Sequence, residues 1–335
     1  MKVLFIGGSG TISTECVKAA VAFGHEVCVL NRGSKNDTLP PDVIQITCNV
    51  RDSESAAKAT HAHKFDCVAD FISFTTEHLQ KNINVFRGKT AQYLFISSAS
   101  AYQKPPRNWP ITESTPLCNP HWQYSRDKIA CEELLMREYR ENGLPFTVVR
   151  PSHTYCDGNI PLAIHGSKGP WQTLKRILEG KPVPMFGDGT SLWTVTHSSD
   201  FAQAFVHLLG NRKAIGEAFH ITSDEAITWN QIYGSVARAL GMDFSDLKLV
   251  YKSSNDLIKL GKEYGYDFEG PLLGDKSHCA VFDNTKIKRF APGWFQQVTF
   301  ETGIASSVAY TLERAELQSE DPTWDALCER VCGCE

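Results

Sequence analysis

No apolar run in this 335-residue chain approaches the roughly 18–20 residues needed to span a bilayer, so no membrane partner is expected. Nothing resembling a charged n-region and an apolar h-region precedes the first strand, so export is not expected and the cytoplasm is the default location. Basic residues are not in excess: the formal net charge is -4, which argues against nucleic acid as a partner. There is no solvating acidic run, no internal repeat and no low-complexity segment. Cysteine is not scarce, with eleven in the chain, but most sit singly inside apolar patterns, where the thiol acts as a small hydrophobe. Only Cys328, Cys332 and Cys334 cluster, without a second pair at zinc spacing or a nearby histidine, so no metal is expected.

The most informative stretch is the first. Val3-Leu4-Phe5-Ile6 reads as a buried strand of a parallel sheet. A turn with Gly7, Gly8 and Gly10 follows, then a helix with apolar Cys16, Val17, Ala20 and Val21 at helical spacing. Strand, glycine turn and helix make a site for a pyrophosphate at the positive end of the helix. Gly7 allows the tight turn and Gly10 the close approach of backbone N–H groups. Where a third glycine is usual stands Ser13, which is expected to pack against the strand and leave the ligand alone. No Gly-Lys-Ser/Thr follows, which disfavours a nucleoside-triphosphate loop.

Further strands are expected at 26–30, 43–47, 66–70, 93–97 and 146–150, with helices at 53–62, 77–85 and 121–142 between them. This alternation predicts an α/β fold: a doubly wound, mostly parallel Rossmann sheet with helices on both faces. Beyond residue 157 the texture shifts to Gly, Pro and Trp. A smaller, mixed α/β substrate-binding lobe is therefore predicted from about 158–192 and 223–335. The dinucleotide-binding domain takes 1–157 and about 193–222.

The chemistry-bearing pair is Tyr124 and Lys128. A spacing of four stacks them on one helix face, one turn apart. A lysine there, near a positively charged nicotinamide, stabilises tyrosinate and lets tyrosine exchange a proton near neutral pH. Upstream, Ser97-Ser98-Ala99-Ser100-Ala101-Tyr102 places hydroxyls at the C-terminal end of a parallel strand, where a substrate oxygen would be held.

With Arg150-Pro151-Ser152-His153-Thr154-Tyr155, Gly187-Asp188-Gly189 and His197-Ser198-Ser199-Asp200, these features resemble an extended short-chain dehydrogenase/reductase of the NAD(P)-dependent epimerase/dehydratase type. The resemblance implies that Tyr124 is the acid/base, that Lys128 orients the nicotinamide ribose and tunes Tyr124, and that Ser98 hydrogen-bonds the reacting oxygen. It implies a cofactor site including Gly7, Gly10, Thr11, Ile12, Phe71, Pro151 and Ser152, and a homodimer formed through helices 76–85 and 121–142. Relatives that dehydrate nucleotide sugars carry Thr-Asp-Glu at the serine motif. Ser98-Ala99-Ser100 offers neither carboxylate, so dehydration is disfavoured. Sugar-nucleotide epimerases usually carry an asparagine where His153 stands, and an arginine for the diphosphate after Gly-Asp-Gly, where this chain reads Thr190-Ser191-Leu192-Trp193. Ser100, His153 and Trp193 instead suggest a hydrogen-bonding, aromatic pocket for a sugar-like or polyol-like molecule.

Cofactor choice depends on the end of the second strand. NAD enzymes commonly carry a carboxylate there. Here stand Asn31 and Arg32 with Lys35 close behind, so NADP is expected, with NAD the alternative. Asp70, at the end of the fourth strand, either caps a helix or contacts the adenine ribose. The leading reading is an oxidoreductase moving a hydride to or from a secondary alcohol or ketone. An epimerase with a transient keto intermediate needs the same residues. A dinucleotide-binding sensor without turnover is the competing class.

Overall fold

The computed structural model describes residues 1–33 and 38–333. Seven parallel strands form the central sheet: β1 (Lys2–Ile6), β2 (Glu26–Asn31), β3 (Ile44–Thr47), β4 (Cys67–Asp70), β5 (Tyr93–Ile96), β6 (Phe146–Pro151) and β7 (Ala218–Ile221). Their spatial order is β7-β6-β5-β4-β1-β2-β3. The chain winds outward from β1 to β3, then restarts at β4 and winds the other way. The strand order therefore reverses between β1 and β4, and a crevice opens above their carboxyl ends.

β1 shows why its sequence is apolar without alternation. Val3 and Phe5 enter the core on one face of the sheet, Leu4 and Ile6 the core on the other, and all four are fully buried. Helix α1 (Ser13–Ala22) covers the first face through Cys16, Val17 and Ala20. α2 (Ser53–Ala59), α3 (Thr76–Phe86) and α4 (Gln123–Asn142) cover the second. α4 ends where Gly143 takes the left-handed conformation, with φ 67°. Its outward side carries Gln123, Arg126, Glu133, Arg137 and Arg140, interrupted by the half-buried Ile129 and Ala130 and by the exposed Tyr139.

The second lobe has its own core, built around the fully buried Trp193, Trp229 and Trp324. Short strand pairs frame it: His153–Tyr155 with Val195–His197, Val183–Phe186 with Leu249–Lys252, and Leu192–Trp193 with Ile227–Thr228. The helix Trp229–Ala239 opens with a capping box in which Thr228 and Gln231 satisfy each other's backbone N–H groups. Part of the C-terminal half leaves this lobe: the helix Thr285–Phe290 packs under the central sheet, with Ile287 and Ala291 in the same core as β1 and α1.

Candidate active site

A cleft of about 700 Å³ lies above the β1–β4 switch point. Its floor is the glycine turn. Gly7 has φ 83°, closed by its N–H donating to the Leu30 carbonyl, and a Cβ added there would lie 2.2 Å from Ile72 Cγ2. Only glycine fits both the torsion and the space. Gly10, Thr11 and Ile12 line the cleft before α1 begins. Ser13 is buried and its Oγ accepts a hydrogen bond from the Gly10 N–H at 2.8 Å. Its hydroxyl thus faces back onto the loop instead of simply packing on the strand.

Asn31 and Arg32, leaving β2, form the far wall, and Phe71 stacks on Phe5 near the middle of the cleft. Lys35 lies outside the described residues. Sequence reading missed the contribution of β3, whose end supplies Cys48, Asn49, Val50 and Arg51. The signal was available: every strand of an open α/β sheet delivers its carboxyl end to the crevice. Arg51 donates to the Ile72 carbonyl through Nη2 at 2.6 Å, while its Nη1 is buried with no protein partner. Burial lowers the Arg51 pKa from its ordinary value, with Asp70 pulling the other way. Among the described lining residues stand three cations, Arg32, Arg51 and Lys128, and no carboxylate. A doubly charged pyrophosphate, with or without a further phosphate, fits such a lining.

Tyr124 and Pro151 line both this cleft and a smaller pocket of about 260 Å³ on the lobe side, so the two cavities meet at Tyr124. Ser98 lines the smaller pocket beside Tyr124, and its hydroxyl lowers the Tyr124 pKa against the effect of burial. Its Oγ also lies 2.9 Å from Ser100 Oγ, which accepts from Ser125 Oγ at 2.8 Å. Ser97 points elsewhere: it lines the cofactor cleft and donates to Glu132 Oε1 at 2.5 Å. Lys128 is 1% exposed, and its Nζ donates to the Ser73 and Ile96 carbonyls at 2.8 Å each. The ammonium also lies 4.7 Å from the ring centroids of Phe74 and Phe95, and 5.9 Å from that of Tyr124. Burial lowers its pKa to about 8. Tyr124 is raised above its ordinary value, mainly by burial and further by Asp275, against the Ser98 hydroxyl. Burial of Tyr124 thus opposes formation of tyrosinate.

His153, Ser100 and Ser152 line the lobe-side pocket. Ser152 thus faces the pocket and not the cofactor cleft, because its Oγ is turned to donate to the Thr194 carbonyl at 2.8 Å. Burial and the charge of Lys276 lower the His153 pKa to about 3, so its ring is neutral. Two expected residues lie behind the cavities. Trp193 is 1% exposed and packs against Trp229 with centroids 5.4 Å apart, in the lobe core, one layer beneath His153. Asp70 is fully buried and its carboxylate is consumed locally. It accepts from the Ile72 and Ser73 N–H groups, Ser73 Oγ, Asn82 Nδ2 and Tyr93 OH. It does not cap a helix, since Thr75 caps α3; Asp70 instead braces the loop whose Ser73 carbonyl receives Lys128.

Comparison with known proteins follows the same lines. A sequence model described as the NAD dependent epimerase/dehydratase family matches residues 3–222. The 2'-dehydrokanamycin reductase of Streptomyces kanamyceticus is 27% identical over 300 residues, covering 88% of this chain and 80% of the relative. A chloroplast stem-loop binding protein of 41 kDa from Arabidopsis thaliana is 23% identical, covering 95% and 81% respectively. Among solved structures, a dTDP-glucose 4,6-dehydratase from Bacillus anthracis in complex with NAD superposes with a TM-score of 0.73 at 18% identity, covering 98% of this chain and 99% of that one.

Proposed function

The chain belongs to the NAD dependent epimerase/dehydratase family, and from that premise we propose that it is an NADP-dependent oxidoreductase acting on a secondary alcohol or ketone of a sugar-like or polyol-like small molecule. The observation that carries this reading is the meeting of two cavities at Tyr124, with Ser98 beside it in the smaller one and Lys128 one turn below in the larger. A dinucleotide held in the cleft would supply or accept the hydride at its nicotinamide. Tyr124 and Ser98 hold the substrate oxygen between them. Tyr124 gives its proton to that oxygen in reduction and takes it back in oxidation, and the Ser98–Ser100–Ser125 hydroxyls fix the donor geometry. Lys128, locked against two carbonyls, keeps a positive charge on the tyrosine side of the helix. Gly7, Gly10, Thr11 and Ile12 would cradle the pyrophosphate, Phe71 and Pro151 would flank the nicotinamide half, and Asn31, Arg32 and Arg51 would receive the adenosine end. The carboxylate-free lining there supports NADP over NAD.

Absence of acidic groups at Ser98-Ala99-Ser100 disfavours water elimination. An epimerase uses the same residues, and the redox partner retained on purification separates the two: a freely exchanging NADP(H) supports the reductase, a tightly held NAD(H) the epimerase. The relative named for stem-loop binding brings a non-catalytic reading, but the net charge of -4 and the complete Ser98–Tyr124–Lys128 set favour turnover. A cytoplasmic location fits the free thiols of Cys16, Cys28, Cys67 and Cys131. No described helix is long and apolar enough to cross a membrane. A homodimer through α3 and α4 would bring together a mixed surface on α4, with Arg126, Glu133 and Arg137 around the half-buried Ile129 and Ala130; light scattering reads it directly.

The test is Tyr124→Phe with NADP(H) and a panel of sugar and cyclitol alcohols and ketones, followed by nicotinamide absorbance. Turnover should fall about 10²–10⁴-fold with dinucleotide affinity unchanged. Unchanged turnover in this variant refutes the assignment.

A further inference from the structure

The lobe-side pocket contains a group that hydride transfer does not require. Of its described lining residues, Asp275 is the one that carries a formal charge, since His153 is held neutral. Asp275 sits in an irregular five-residue π-turn, Leu272–Lys276, a distortion that recurs at functional sites. The turn is held tightly. Asn119 Nδ2 donates to the Gly274 carbonyl at 2.7 Å and to the Ser100 carbonyl at 2.8 Å, which ties it to the serine turn. A Cβ at Gly274 would lie 2.8 Å from Trp122 Cβ, so this approach needs glycine.

The cations near Asp275 do not enter the pocket. Lys104 Nζ bonds Asp275 Oδ1 at 3.0 Å from the buried side, with its side chain 1% exposed. Lys276 Nζ turns away to the Leu162 and Ala163 carbonyls. Oδ2 of Asp275 takes no hydrogen bond from the described residues. The pocket is therefore lined, together with Tyr124, by a carboxylate of which Lys104 bonds one oxygen, and by no positive charge to meet a phosphate.

We propose that Asp275 is the specificity-determining residue of this pocket, that its Oδ2 accepts a charge-assisted hydrogen bond from an ammonium substituent, and that the substrate class is an amino sugar or aminocyclitol. The proposal rests on the hydride-transfer reading only for the placement of the reacting carbon between Ser98 and Tyr124. An ammonium is the better occupant than a hydroxyl because both make a charge-assisted bond to the carboxylate and the ammonium adds the attraction of opposite charges in contact. It also cancels the negative charge that opposes ionisation of Tyr124. A nucleoside diphosphate would bring anions against the same carboxylate.

Calorimetry on the full chain saturated with NADP tests this, with glucosamine, glucose and glucose 6-phosphate as matched probes. Glucosamine should bind about tenfold more tightly than glucose, the size of one charge-assisted bond. Glucose 6-phosphate should bind more weakly than glucose, and the glucosamine advantage should vanish as pH rises through its amine pKa. Asp275→Asn should bring the two sugars within about twofold. Because that variant strands the buried Lys104, the Lys104→Met/Asp275→Asn double variant removes both partners together and should show the same loss. Equal affinities in the parent, no binding of glucosamine, or a preference that survives in the double variant each overturns the proposal. A preference present in both the parent and Tyr124→Phe, with no turnover of any probe in either, supports the carboxylate assignment and overturns the hydride-transfer reading instead.

Discussion

Glu132 and Arg150 provide the most direct physical test of how the catalytic helix is held. Glu132 lies one turn beyond Lys128 on α4, and Arg150 lies near the end of β6. Their side chains are 8% and 6% exposed. Arg150 meets the carboxylate through Nε at 2.9 and 3.2 Å and Nη2 at 2.6 Å, while Nη1 reaches the Tyr102 hydroxyl at 3.1 Å. Burial alone would lower the Arg150 pKa; the Glu132 hydrogen bonds and charge outweigh it and hold it above the ordinary value. Glu132→Gln keeps the shape and deletes the charge, which leaves a buried guanidinium facing an amide. Breaking a pair of this kind costs about 3–5 kcal/mol. Unfolding entropy of ~2.1 cal/mol/K per residue amounts to about 0.7 kcal/mol/K for a chain this long, so Tm should fall by about 4–7 °C. Glu132→Gln/Arg150→Met removes both charges and should recover at least half of that. The assay is thermal unfolding by circular dichroism at fixed protein concentration and pH. Dinucleotide affinity should weaken in parallel, because Ser97 in the cleft wall loses its charged acceptor. A single variant that melts within about 1 °C of the parent refutes the reasoning.

Two further outcomes follow from the site. His153 is held at about 3 in the fold against an ordinary 6.5, so between those values the unfolded chain binds a proton that the folded chain refuses. Stability is then lost as pH falls from 6.5 toward 3; His153→Gln should lose less of its Tm between pH 6.5 and 4.5 than the parent, and an identical acid-side slope would contradict burial of a neutral ring. Arg32→Glu places a carboxylate at the end of β2, where it repels a 2'-phosphate and accepts from a 2'-hydroxyl. KM for NADP should rise about tenfold or more with that for NAD unchanged or lowered, and an unaltered NADP/NAD ratio in steady-state kinetics would remove Arg32 from cofactor selection.

Much of the scaffold is legible in the sequence because local rules suffice for it. Val3–Ile6 is apolar throughout because both faces of a parallel strand are covered, and that unbroken run is enough to mark the strand. The sheet strands start and stop within a residue or so of their expected bounds, since glycine, proline and polar turns punctuate them. Tyr124 and Lys128 share a face because a helix repeats every 3.6 residues. Arg51, by contrast, has no motif around it, and the one sign of its role is that it follows the carboxyl end of a parallel strand. Trp193 has the composition of a pocket residue but faces Trp229, and a strand of two residues shows no alternation from which its facing could be read.

The sequence by itself determined the α/β winding, the glycine turn that only Gly7 can make, and the pairing of a tyrosine with a lysine one turn away. These depend on torsion angles and periodicities that a few neighbouring residues set. Tertiary structure alone decided which polar groups meet a ligand and which are consumed inside the protein. Asp70 and Asp275 are both aspartates beside apolar segments. One has its carboxylate filled by five local donors, and the other is carried by a π-turn to the Tyr124 pocket with one oxygen bonded by Lys104. That difference depends on partners far along the chain, Lys104 and Asn119 above all, and distance in space is not written in spacing along a sequence.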